Sequence, residues 1–231
     1  MIDFYGGGAN VKPTAYYAAQ PKHNVPKWPP TASASPTALA MDTSLSVSAP
    51  PPASDIAARA RWLVYNSLWT SIGTVSVRLQ GKPWGNVRSV ADGVGSNSTG
   101  LPALYVPTPD PTHIDLNANP HATLSFSEAA LAERVSPQGG LCGGMDPEDP
   151  TCARLHMYGT LRVLNKTEDL AKAAVDLCAR HPLATWLCHG GAHTGGNYYT
   201  IDLTSLVFLD NYGGAAKLSV EDYLAAAPPV A

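Results

Sequence analysis

The sequence predicts a β-rich α+β domain in which sequential antiparallel strands close into a barrel with flanking helices. Three observations point there. Ala122, Leu124 and Phe126 alternate with Thr123, Ser125 and Ser127, the two-residue period of a strand with one face in a core. Just before it, a helical turn beginning at His113 runs into Asn119-Pro120. Proline cannot donate to a ladder and biases the residue before it away from the helical region, so helix must stop and extended chain must start there. Around this corner the other segments read as about six strands and three helices, joined by Gly- and Pro-rich turns.

Residues 1–53 are rich in Pro, Ala, Ser, Thr and Tyr, sparse in charge and without an apolar period, so no independent fold is expected. They read as an extended arm held along a partner, a larger assembly or its own dimer, with Phe4, Tyr5, Tyr16, Tyr17 and Trp28 as anchors. The alternative is a disordered linker. Residues 54–231 form the domain. Ser54 caps a helix carrying Ile56, Ala60, Leu63, Val64 and Ser67 on one side. Trp69 to Val77 is a strand, Gly81-Lys82-Pro83 a turn, and Trp84 to Ala91 the returning strand of a hairpin. A Gly/Ser loop, residues 92–100, leads to a strand over Leu101 to Thr108, which Pro107, Pro109 and Pro111 end. After the Asn-Pro corner and its strand, a loop precedes a long strand from Cys152 to Asn165, broken or bulged at Gly159. Thr167 opens a helix with Glu168 and Asp169 in its first turn and a stripe of Leu170, Ala173, Ala174 and Leu177, ended by Pro182. A last strand, Tyr198 to Leu209, leads to a short helix capped by Ser219.

Composition narrows the function. The net charge is −3 and no Lys/Arg run occurs, so neither nucleic acid nor an anionic membrane surface is an expected partner. No apolar run approaches membrane-spanning length, so no membrane insertion is expected. No leader or organelle presequence is recognisable at the N-terminus, which reads as cytoplasmic at face value. Two glycosylation sequons, Asn97-Ser98-Thr99 and Asn165-Lys166-Thr167, point instead to the secretory pathway. The four cysteines allow three pairings. Cys142 and Cys152 flank a Gly/Pro/acidic loop that a local disulfide could close in an oxidising compartment, and Cys178 and Cys188 sit at a helix end and in the following loop. Reduced, partly buried thiols are the alternative for both pairs.

Several blocks together resemble the CREG family, the cellular repressor proteins, a branch of the pyridoxamine-phosphate-oxidase-like FMN-binding split barrels. They are GKPWGNVRSVADG, NANPHATLSFS, CGGMDPEDPTCARLHMYGTLRVLN, the helix ending RHP with a Trp soon after, and LVFLDNYGG followed by EDY. The resemblance covers Ser54 to the C-terminus. It implies a six-stranded split β-barrel with flanking helices, a twofold homodimer with any flavin site between subunits, and a secretory or vacuolar location. It also implies that the fold of a flavoenzyme is used without flavin.

An FMN phosphate carries close to two negative charges and needs Arg or Lys in bidentate geometry, or a helix N-terminus. From Ser89 to Glu133 there is no Lys or Arg. Where flavin-binding relatives carry a basic pair, this chain has Pro109-Asp110-Pro111-Thr112-His113, and Asp110 would repel phosphate. Arg88 is the remaining cofactor-binding candidate, with Arg78 and Lys82 nearby; otherwise it is a solvated strand residue. His113 and His121 bracket the corner but are mostly uncharged at neutral pH and read as surface polar residues. Asp146, Glu148 and Asp149, in a loop that the resemblance places near the flavin groove, would make it acidic. Cys178, His181, Cys188, His189 and His193 have the residue types of a zinc site but not a standard spacing, and no metal is expected. No catalytic residue can be assigned. The expectation is a cofactor-free, non-catalytic interaction or structural component that docks through its arm and barrel surface. The alternatives are an FMN-dependent oxidoreductase using Arg88, or a secreted glycoprotein.

Overall fold

The computed structural model describes residues 47, 49–131, 142, 144–184, 187, 195–212 and 214–227. Phe4, Tyr5, Tyr16, Tyr17, Trp28, Cys188, His189 and His193 lie outside the described residues. Val47 packs on the core of the domain that follows.

Helix α1 (Ile56–Asn66) is capped by Asp55, whose Oδ1 accepts from the Ala58 N–H at 3.0 Å, and not by Ser54. Asp55 keeps a non-helical backbone, so the helix starts after it. The apolar side predicted from spacing is buried at Ala60, Leu63 and Val64 and widened by Trp62. Ser67 ends the helix by donating its hydroxyl to the Leu63 carbonyl.

Strands β1 (Trp69–Ser76) and β2 (Lys82–Ala91) form the expected antiparallel hairpin, with Trp69 opposite Ser89 and Ser76 opposite Lys82. The turn lies one step earlier than read from sequence, because Gln80 and Gly81 take the positive φ it needs. Strand β3 (Ala103–Val106) is shorter than predicted. Helix α2 (Pro111–Ala118) starts where the prolines seemed only to end a strand: Asp110 caps it and Pro111 takes the first helical position. Asn119 is extended, as Pro120 requires, and the chain enters β4 (His121–Ser127). Ala122, Leu124 and Phe126 point inward and are 3%, 0% and 2% exposed.

β5 (Arg154–Val163) pairs with β4 and with β6 (Asn197–Leu209). The register slips between Tyr158 and Gly159, where any side chain on Gly159 would run into the Asp202 carbonyl. β3 pairs with both β2 and β6, so β3-β2-β1-β4-β5-β6 closes as a six-stranded antiparallel barrel. A strand not foreseen in the sequence, β7 (Ala216–Leu218), extends the sheet from β6. Helix α3 (Thr167–Arg180) begins with Thr167 inside it, preceded by Lys166 without a side-chain cap. Its buried face is Ala173, Asp176, Leu177 and Arg180, one step round from the predicted stripe. Two charges lie on that face because each has a partner: Lys172 reaches Asp176 at 2.5 Å, and Arg180 donates to the Tyr65 carbonyl. Ser219 caps the last helix, α4 (Val220–Ala225), accepting from Asp222 N–H at 3.0 Å.

The barrel interior is filled by Leu104, Leu124, Phe126, Leu155, Met157, Ile201 and Phe208. Asp115 of α2, 1% exposed, accepts from Thr74 Oγ1 at 2.9 Å and from the Val77 N–H at 2.8 Å, fixing α2 to the β1–β2 hairpin. The Pro120 carbonyl accepts from Leu161 N–H at 2.8 Å, tying the corner to β5.

Candidate functional site

The polar residues that the sequence placed near a phosphate meet where β2 passes the start of α2. Arg88, from β2, forms an ion pair with Asp110, and the two side chains are 12% and 14% exposed. The same guanidinium donates from Nη2 to Thr112 Oγ1 at 3.1 Å and from Nη1 to the Val87 carbonyl at 3.2 Å. Its Nε is buried without a partner. Asn86, two residues earlier on the same face of β2, donates to Asp110 Oδ1 at 3.3 Å and to Thr112 Oγ1 at 3.0 Å. Asp110 Oδ1 also accepts from the Thr112 N–H at 2.8 Å. The carboxylate thus caps α2, sits where the helix dipole favours an anion, and neutralises the one cation of the site.

Arg88 is therefore not the solvated strand residue of the sequence reading. Its charge is committed within the fold. A phosphate arriving at the α2 N-terminus would find its place taken by the Asp110 carboxylate, and the residues present do not fit that group. Sequence reasoning noted Asp110 as a repulsive charge but missed Asn86 and Thr112. An Asp-Pro-Thr helix start was the available signal, since Asp before Pro predicts a capping carboxylate.

Beside this cluster Tyr199 OH meets His113 Nδ1 at 3.3 Å, and Tyr105 and Tyr198 pack at 5.0 Å between ring centres. Burial raises the Tyr198 and Tyr199 hydroxyls above the ordinary phenol range, so they stay neutral donors at physiological pH. His121 lies apart, on the outer face, stacked on Tyr158 at 6.1 Å. Arg78 covers the Trp84 ring at 4.8 Å, and no hydrogen bond joins it to the Arg88 cluster.

Cys142 and Cys152 are joined by a disulfide with a Cα–Cα separation of 5.5 Å. Inside the loop it closes, Asp146 accepts from the Glu148 N–H and Asp149 from the Thr151 N–H, both within the loop's own turns. Hydrogen bonds from Thr151 hold the Asp149 carboxyl below the usual range, and Tyr212 OH donates to it at 2.9 Å. Cys178 is disulfide-bonded as well. His181 Nε2 lies 2.9 Å from the Val90 carbonyl and donates to it, and burial lowers its pKa. Among the described residues no three His, Cys, Asp or Glu side chains gather as metal ligands.

The CREG β-barrel family model matches residues 51–225. The chain belongs to the CREG family. It is 34% identical over 187 residues to human CREG2, covering 78% of this chain and 60% of CREG2. It is 30% identical over 181 residues to human CREG1, covering 75% of each. Two solved structures share the fold: a heme-binding protein from Mycobacterium smegmatis, with a TM-score of 0.55 at 16% identity over 77% of this chain and 62% of that one; and a protein of unknown function from Agrobacterium tumefaciens, with a TM-score of 0.54 at 13% identity over 77% and 64%. The CREG-family barrel is of the split type, closed through β3 and β6.

Proposed function

We propose that this CREG-family barrel is a non-catalytic interaction component and holds no flavin. The observation that carries the reading is the Arg88–Asp110 ion pair. A cofactor phosphate would have to displace a carboxylate that is hydrogen-bonded to a helix start and to Asn86, or sit beside it. Two anions in one partly buried site repel strongly, and no second Lys or Arg lies between Ser89 and Glu133 to offset the cost. Asp146, Glu148 and Asp149 add to the acidic balance of the domain.

Interaction surfaces are available in place of a cofactor groove. The outer faces of β1, β2, β5 and β6 carry exposed Trp69, Val75, Val87, Tyr158 and Val207, which supports pairing with a second copy. Residues 1–53 supply five aromatic anchors, Phe4, Tyr5, Tyr16, Tyr17 and Trp28, for a larger assembly. The test is to purify the chain without added cofactor, record its flavin absorbance, titrate FMN by fluorescence and measure its mass in solution. A colourless dimer that leaves FMN fluorescence unchanged supports the reading. Co-purified flavin, or saturable binding in the micromolar range, overturns it in favour of the FMN-dependent alternative.

A further inference from the structure

A second concave site lies between α3 and the outside of the barrel, and none of its residues belongs to the Arg88 cluster. One row of side chains crosses the sheet there. Ala91 of β2 is opposite Ala103 of β3, and Thr200 of β6 is opposite Arg162 of β5. Their chain neighbours Val90, Leu104, Ile201 and Leu161 belong to the barrel core, so this row faces outward. On the other wall α3 supplies Asp169, Lys172, Ala173 and Asp176, which recur every three or four residues along one helix face. The cleft they enclose measures about 180 Å³.

The sequence keeps this space open by using small residues. Ala91, Gly93, Ala103 and Ala173 line it, and Leu101 and Leu164 complete the apolar part. Gly93 cannot be enlarged, because it takes a φ of +76° and a side chain there would run into the Asn97 carbonyl.

Four charges stand around that lining, two of each sign. Lys172 is paired with Asp176, whose side chain is 9% exposed. Arg162 donates to both oxygens of Asp202 through Nε alone, at 3.1 and 3.2 Å. Among the described residues its Nη1 and Nη2 donate to no acceptor, so the outer fork of the guanidinium is open. Asp169 has no ion pair among the described residues and lies in the first turn of α3, where the helix N-terminus favours its charge. The cleft thus offers one uncommitted bidentate donor and one uncommitted carboxylate.

That combination selects a ligand class. A ligand of net charge would leave one of the two uncommitted groups facing a like charge, whereas a zwitterion meets opposite charge at both ends. A carboxylate matches the guanidinium fork, and an ammonium matches Asp169. Thr200 Oγ1, which donates to the Leu101 carbonyl at 3.3 Å, can still accept from the same ammonium. The volume lies below the roughly 300–1,000 Å³ of sites for drug-sized molecules, so the occupant is small, and the Ala and Leu lining suits an aliphatic group. We propose that the cleft between α3 and the β2-β3-β6-β5 row binds a free aliphatic α-amino acid, with its carboxylate on Arg162, its ammonium on Asp169 and its side chain over Ala91, Ala103 and Ala173. This goes beyond the interaction role proposed above and does not depend on it.

The experiment titrates the full chain with leucine, valine and alanine by isothermal calorimetry. Two analogues of leucine that each lack one charge, 4-methylpentanoate and isopentylamine, are titrated beside them. The expected result is one site with a Kd below about 1 mM for at least one of the amino acids, and binding of each analogue about 10-fold or more weaker than that of leucine. Arg162→Gln and Asp169→Asn change exposed or half-buried side chains and should melt like the wild type, while each weakens amino-acid binding about 10-fold or more. On adding the amino acid to isotopically labelled chain, the backbone amide shifts should cluster at Gly93, Ala103, Ala173 and Thr200. No saturable binding of any of the three up to about 10 mM overturns the proposal. So do analogues that bind as tightly as leucine, variants that bind as the wild type does, or shifts that cluster elsewhere.

Discussion

Asp110→Asn isolates the charge on which the reading rests. The substitution keeps an oxygen acceptor for the Thr112 N–H, and Asn caps a helix about as well as Asp. What is lost is the negative charge facing Arg88, in a pair whose side chains are only 12% and 14% exposed. Deleting one partner of a buried pair outright costs about 3–5 kcal/mol. With the amide oxygen still able to accept from Arg88, the expected cost is about 1–3 kcal/mol. For a domain of this size that lowers the melting temperature by about 2–4 °C per kcal/mol. The guanidinium, its charge no longer neutralised, should then accept a phosphate. One charge-assisted contact is worth about 1.5–3 kcal/mol, so FMN should bind about 10- to 100-fold more tightly to the variant than to the wild type. Differential scanning calorimetry and a fluorescence titration read both quantities from one preparation. An unchanged melting temperature would mean the ion pair stabilises nothing. A lowered one with unchanged FMN affinity would mean the carboxylate is not what excludes the phosphate.

Gly159→Ala places a methyl group against the Asp202 carbonyl at the β5–β6 bulge and should cost about 1–3 kcal/mol by urea denaturation; a neutral result would show the bulge can relax. Replacing Cys142 and Cys152 by Ser opens a loop with a sequence separation of 10 and should destabilise by about 2–3 kcal/mol, read by thermal melting against the oxidised wild type. Burial holds the His181 pKa below its ordinary value of about 6.5, so the unfolded chain takes up the proton first as pH falls. Stability should therefore be full above that value and decline from it down to the depressed folded value, by at most about 1.4 kcal/mol per pH unit. Asn at position 181 should flatten that part of the profile in urea melts; an unaltered slope would remove His181 as a contributor. Deleting residues 1–46, which spares Val47, should leave the melting temperature of the domain unchanged while abolishing capture of partners by the full chain; a domain that unfolds without them would refute the division.

What could be read from the sequence follows from how local the physics is. Pro120 acts on its own neighbour, so the end of α2 and the start of β4 were legible to the residue. Gly159 announced a bulge because a lone glycine in a strand has few other uses, and the register slip lies there. Ser219 likewise declared the last helix. The miscues came from longer-range balances. Asp55 took the cap from Ser54 although both are good caps, and capping preference alone does not choose between two such neighbours. Asp176 and Arg180 faced inward on α3 against hydropathy, since Lys172 and the Tyr65 carbonyl, the latter far away in sequence, satisfy them. β7 is three residues long and exists only because β6 offers an edge. At the site, Asp110 and Arg88 were both visible as residues. Their pairing was not, because a sequence separation of 22 hides the register that brings β2 beside α2.

The decisive experiment is a crystal structure of the chain grown with excess FMN. Arg88 should remain paired with Asp110 and hydrogen-bonded to Thr112, with no ring density against the barrel. An isoalloxazine in the map, its phosphate on Arg88 and Asp110 swung away, would contradict it.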